Sequence, residues 1–129
     1  MYGSLPKRQK SFDVDLEGES TGLQYKGTFT VKTGLSLQEQ HAVELNRTRM
    51  MADYKNPTMG LQRIAISLSE LETRIIEAPA WWKELNNGYD VIDINIVEEI
   101  FLKSMTAEAD WKASLKKKAE EAKEEARPL

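Results

Sequence analysis

Between residues 11 and 17 the chain alternates without exception: Phe12, Val14 and Leu16 are separated by Asp13, Asp15 and Glu17. A period of two is the mark of a half-buried strand. Gly18 and the following Glu-Ser-Thr-Gly carry turn chemistry. A second alternating run, LQYKGTFTVK, comes next. Leu23, Tyr25, Phe29 and Val31 share one face with Gly27, while Gln24, Lys26, Thr28 and Thr30 share the other. Two such runs joined by a short glycine-containing loop predict a β-hairpin over residues 11–32. Its polar faces are complementary, acidic on one strand and Lys/Thr on the other, which is worth roughly a few tenths of a kcal/mol per pair. Gly27 marks a bulge or the close approach of another segment.

Beyond residue 33 the period changes. Ser36 with Glu39 three residues later is a capping box, which predicts a helix over about 37–54. Leu37, His41, Leu45 and Met51 are its expected inward positions, and Lys-Asn-Pro-Thr ends it. A second helix is predicted over 60–78. Leu61, Ile64, Leu68, Leu71 and Ile75 recur at three and four residues, and Ala65, Ile66 and Ile76 widen the stripe. It must stop before Pro79, because the residue ahead of a proline is pushed out of the helical region. Asn87–Gly88 is a turn signal. A third helix is predicted over 93–111, with Asp93 as N-cap and Ile94, Val97, Ile100, Phe101 and Met105 as its apolar face. Residues 112–129 are rich in Ala, Lys and Glu. Their stripe of Leu115, Ala119, Ala122 and Ala126 is too thin for a core, so they read as an exposed or partner-bound helical tail.

The predicted fold class is α+β. An N-terminal hairpin packs on a bundle of about three helices to form one domain over 11–111. A flexible basic arm (1–10) precedes it and the charged helical tail (112–129) follows it. Two strands alone are marginal in water, so they must pack on the helices or pair with strands of another chain. An uncovered strand edge favours homo-oligomerisation.

The 129 residues suffice for one modest core. A formal net charge of −3 argues against a nucleic-acid partner, and the Lys7–Lys10 arm and the Lys116–Lys118 run lack interleaved aromatics. The chain has no cysteine, which rules out disulfides and thiolate metal sites. No apolar run approaches the ~20 residues of a membrane span, and the N-terminus has no apolar core of a signal peptide. The single histidine, His41, sits in a predicted helix with Glu44 nearby and no nucleophile to serve, so it reads as a partly buried helix residue. Asp13, Asp15 and Glu17 read as a solvated strand face rather than a metal or acid–base cluster. "GESTG" lacks the lysine and the strand–helix setting of a phosphate loop. The sequence nominates no catalytic residue, no metal ligand and no cofactor, and an enzyme is the least favoured class.

What remains belongs to an interaction protein. In order, the segments "FDVDLEGESTGLQYKGTFTVK", "LSLQEQHAVELNR" and "LSELETRIIEAPAWW" resemble the tail assembly chaperones of long-tailed bacteriophages. The resemblance spans residues 12–105. It rests on Thr21, Gly22, Tyr25, Gly27, Thr28, Phe29 and Val31, then on Leu68, Leu71, Arg74, Ile75, Pro79, Trp81 and Trp82. It implies a non-enzymatic factor in the host-cell cytoplasm that binds the tape-measure protein, keeps its apolar helices soluble and recruits tail-tube subunits. It also implies a longer form made by frameshifting near the end of the short one. The alternative is a structural virion protein, a capsid decoration or head–tail component, touching neighbouring subunits through its arm, hairpin edge and tail. Tyr25, Phe29, Arg74, Trp81 and Trp82 are the candidate partner-binding residues. Adjacent side chains diverge, so the two indoles are expected to split. One of Trp81 and Trp82 enters the core beneath the second helix, held by Pro79, and its neighbour stays at the surface.

Overall fold

A computed structural model describes residues 7–126. The predicted α+β class holds. Strands β1 (Gln9–Glu17) and β2 (Gln24–Lys32) form the antiparallel hairpin, and helices α1 (Leu37–Met51) and α2 (Met59–Arg74) follow. Next come a short strand β3 (Ile75–Glu77), a one-turn helix α3 (Ala80–Glu84) and a long helix α4 (Ile94–Glu125). The sheet order is β1-β2-β3, all antiparallel.

The hairpin register is regular from Gln9↔Lys32 to Glu17↔Gln24, so Asp15 faces Lys26 and Asp13 faces Thr28. Alternation does what it predicts. Val14, Tyr25 and Phe29 are buried with Leu68 and Leu71 of α2, Trp82 of α3, and Ile96, Val97 and Ile100 of α4. The other sheet face carries exposed Asp13, Asp15, Lys26 and Thr28. There is no bulge at Gly27. A Cβ there would lie 2.3 Å from Pro79 Cγ, so the glycine admits the proline against the strand.

Several boundaries differ from expectation. Residues 1–6 of the predicted arm lie outside the described residues, but 9 and 10 already belong to β1. Arg8 is engaged too: its guanidinium donates to Gly34 O (2.9 Å) and Glu39 Oε1 (3.2 Å). The second helix ends at Arg74, not at 78. The Ile75 N–H still donates to Leu71 O, but beyond it the backbone turns extended and Ile75 and Glu77 pair with Val31 and Thr30 of β2. The predicted break at 111 is absent. α4 runs unbroken for 32 residues, roughly 48 Å at the helical rise. Residues 127–129 lie outside the described residues.

α1 is rotated relative to expectation. Leu37 (83 % exposed), Leu45 (57 %) and His41 point to solvent, while Val43 is buried and Ala42, Asn46 and Met50 are half-buried. The capping box sets the phase. Ser36 and Glu39 cap each other as predicted, but Glu39 also accepts Lys32 Nζ at 2.6 Å and the Arg8 guanidinium. With Glu39 tied to the sheet, the positions four, seven and eleven residues later, Val43, Asn46 and Met50, must follow it inward. On α2, Ile66 and, just beyond the helix, Ile76 are exposed instead of widening the stripe. α2 packs against both α1 and α4, and it buries Ser67 and Ser69 where small side chains allow close contact. On α4, Ile96, Ser104 and Ala107 take the inward places expected of Ile94 and Met105.

Candidate partner-binding site

The stretch Ile75–Trp82 is a chain of local constraints. Extended β3 leads to Pro79, which lies on Gly27 and begins α3 as its N-cap. α3 thereby carries both tryptophans onto the hairpin. Trp82 is 2 % exposed and meets Phe29 edge-on at 5.5 Å between ring centres. Trp81 is half-buried, donates its indole N–H to Lys26 O (3.0 Å), and meets Tyr25 (5.1 Å) and Phe29 (5.8 Å) edge-on. The indoles touch each other at 6.1 Å. They diverge as adjacent helical residues must, but Phe29 fills the angle between them, so both share one aromatic cluster. Such edge-to-face pairs are each worth about 0.5–1.5 kcal/mol beyond burial.

The structure thus brings together Tyr25, Phe29, Trp81 and Trp82, and it places Tyr25, Phe29 and Trp82 inside the core. Only Trp81 of the four reaches the surface. Arg74 lies apart from them. Its expected place at a partner surface is corrected, because the guanidinium is buried between two carboxylates. Nε donates to Glu70 (2.7 Å), and Nη1 donates to Glu108 (2.8 Å) and to Lys32 O (3.3 Å). Burial alone disfavours charge on both sides of this cluster. The ion pairs outweigh it, raising the Arg74 pKa and lowering that of Glu108.

One organising residue was not legible as such. Asp93 precedes α4 but makes no capping bond to it. Its carboxylate instead reaches back to the hairpin loop. Oδ1 accepts the N–H groups of Ser20 (2.7 Å) and Thr21 (2.9 Å), and Oδ2 accepts the Thr21 (2.6 Å) and Tyr25 (2.8 Å) hydroxyls. Burial opposes the charge, but these donors prevail and hold the carboxyl down at about 2. Tyr25 is pushed up in turn, by burial first and then by donating to Asp93. Gly18 is required here, since a Cβ would lie 2.2 Å from the carboxylate. The only signals were a turn-like GESTG and an Asp read as a cap, and nothing in the chain joins positions 72 residues apart.

Beside this staple lies a groove of about 330 Å³, bounded by Leu23, Tyr25, Trp81, Leu85 and Ile92. Leu23 (59 % exposed) and Ile92 (68 %) form open apolar flanks, and Glu84 and Asp90 also border it. Leu23, expected on the inward face of the hairpin, lies instead in the loop ahead of β2. The groove can take an apolar side chain between its walls and a cation at its acidic border. It holds no pair of groups arranged for proton transfer or nucleophilic attack. A larger cleft of about 810 Å³ opens beside Arg8, Gln40, Glu44, Arg74 and Lys112, and its charges are mixed. Among the described residues, no cluster of three or more His, Asp or Glu is placed to hold a metal ion, and no helix is long and apolar enough to cross a membrane. The chain matches no protein-family model, no curated protein and no solved structure.

Proposed function

We propose that this protein is a tail assembly chaperone of a long-tailed bacteriophage, acting in the host cytoplasm without catalysis. It binds the tape-measure protein and helps recruit tail-tube subunits. The observation that supports this reading is the groove at the hairpin tip. Leu23 and Ile92 stand open to solvent in the groove that Trp81 also lines, and Leu23 and Trp81 belong to the segments that carry the resemblance. Long apolar helices such as those of a tape-measure protein expose rows of side chains that suit such a groove, and aromatic anchors dominate interfaces of this kind.

Co-expression tests the proposal. A tape-measure protein co-expressed with this chain should be markedly more soluble than the same protein alone. Leu23→Asp combined with Ile92→Asp should lower co-purification by about tenfold or more. A tape-measure protein equally insoluble with and without this partner rejects the chaperone role. Stoichiometric copies in purified mature virions would favour the structural virion protein instead.

A further inference from the structure

The groove at the hairpin tip carries charge of one sign. Glu84 and Asp90 line it, and among the described residues no Lys or Arg does. Both carboxylates are exposed, and among the described residues neither joins an ion pair. The other clefts are mixed. Arg8, Arg74 and Lys112 share the large one with Glu44, Glu70 and Glu108, and Lys10 and Lys103 sit among acidic residues between β1 and α4. The backbone holds the two carboxylates in place. Glu84 and Leu85 follow Trp81 by three and four residues at the end of α3, so the three share a face. Asn86 (φ 56°), Asn87 (φ 54°) and Gly88 (φ 95°) then take the left-handed conformation and turn the chain back. The Asp90 N–H donates to Leu85 O at 3.0 Å, which fixes Asp90 beside the end of α3. A Cβ on Gly88 would lie 2.5 Å from Trp82 Cη2, so the turn is fastened to the core. Behind the wall, buried Asp93 adds a third negative charge, in contact with the Thr21 and Tyr25 hydroxyls. Lys26 and Lys83 adjoin lining residues in the sequence but do not line the groove.

An occupant has to match both the apolar walls and the acidic border. Leu23, Trp81, Leu85 and Ile92 offer an apolar side chain a place out of water. The volume of about 330 Å³ is at the low end of ligand pockets, so the groove takes side chains projecting from a partner and not a whole helix. An acidic partner would set like charges together, whereas a basic one gains a faster encounter and a fixed register. On a helix, an apolar and a basic residue three or four positions apart share a face and can enter such a groove together. On the docking role proposed for this groove above, we infer that its occupant is a helical protein segment with a large apolar side chain and Lys or Arg three or four residues from it. Leu23, Trp81 and Ile92 receive the apolar group, and Glu84 and Asp90 select the cation.

Fluorescence anisotropy of the full chain with labelled peptides tests this. Three peptides of about 20 residues, long enough to form a helix, share one leucine stripe and carry Lys, Gln or Glu at the flanking positions. The Lys peptide should bind about tenfold or more tighter than the Glu peptide, with the Gln peptide between them. Glu84→Lys with Asp90→Lys should reverse that order. Leu23→Asn with Ile92→Asn, which keeps the charge, should weaken all three peptides by about tenfold or more. Glu120→Lys with Glu121→Lys changes the net charge as much as the groove variant does, but on the far half of α4, and should leave the order intact. Unchanged melting temperatures confirm that each variant is folded. Equal or absent binding of the three peptides overturns the inference. So does binding indifferent to Leu23→Asn with Ile92→Asn, and so does an equal effect of charge reversal on α4. A tape-measure protein that co-purifies undiminished with the Glu84→Lys, Asp90→Lys variant keeps the chaperone role and overturns this inference. The predicted peptide order without any effect on tape-measure solubility upholds the inference and overturns that role.

Discussion

Trp82→Ala would empty a site that is 2 % exposed and ringed by Phe29, Trp81 and Leu68. A truncation of this kind costs about 3–5 kcal/mol. Trp81→Ala would lose one hydrogen bond and the exposed half of the aromatic cluster, about 1–2 kcal/mol. Thermal unfolding of the two variants should therefore separate them clearly. Equal losses would mean that Trp81 serves the core alone and has nothing left to offer a partner. That one tryptophan would be inside and the other nearer the surface was legible from their adjacency. Which was which was not, because it depends on how α3 lies across β2. Tyr25, Phe29 and Arg74 were nominated as partner-binding through the resemblance, and a shared motif does not report burial. Arg74 in particular became an interior residue because Glu70 lies on its own helix and Glu108 is supplied by α4.

At the scale of elements, the Glu70–Arg74–Glu108 cluster is the polar tie between α2 and α4. Arg74→Ala would leave two carboxylates facing each other with little water, and breaking a buried pair in this way costs about 3–5 kcal/mol. The loss should appear as a lower urea midpoint, and adding Glu70→Gln should recover part of it. No change in midpoint would mean that the cluster is already solvated. The hairpin, α1 and α2 were legible as elements because their signals are local: alternation, a capping box and a stripe at helical spacing. β3 was missed because Ile75 and Ile76 continue that stripe. They leave the helix only because β2 offers backbone partners. The break predicted at 111 arose where the apolar face thins, but Ala, Lys and Glu sustain a helix without a core beneath them.

For the whole molecule, two carboxylates tie distant parts of the chain together. Glu39 joins α1 to Lys32 and Arg8, and Asp93 joins α4 to the hairpin loop. The Lys32 ammonium, then the Ser36 N–H and the Arg8 guanidinium, hold Glu39 down from an ordinary 4.5 to about 2 against the effect of burial. Asp93 is held at about 2 from an ordinary 3.8. A group whose pKa is depressed by folding adds stability that is complete above its ordinary value and is lost as pH falls through the folded one. Stability should therefore be level above pH about 5 and fall between about 4.5 and about 2. Glu39→Gln should flatten the whole of that fall from about 4.5 downward, and Asp93→Asn only its part below about 3.8. Urea midpoints measured across this range decide it, and identical slopes in wild type and both variants would remove these residues from the account.

Alternation along β1 and β2, the Ser36–Glu39 box, the apolar spacing of α2 and the stop before Pro79 follow from neighbours within a few residues. For that reason the sequence by itself determined the hairpin, its core-facing side, the presence of the main helices and the α+β class. The rotation of α1, the conversion of Ile75–Glu77 to a strand, the burial of Arg74 and the reach of Asp93 to the hairpin loop were decided only by the tertiary structure. Each depends on a partner more than 30 residues away. A buried charge or an unpaired backbone group takes whichever partner the packed chain brings to it, and no local pattern records that choice.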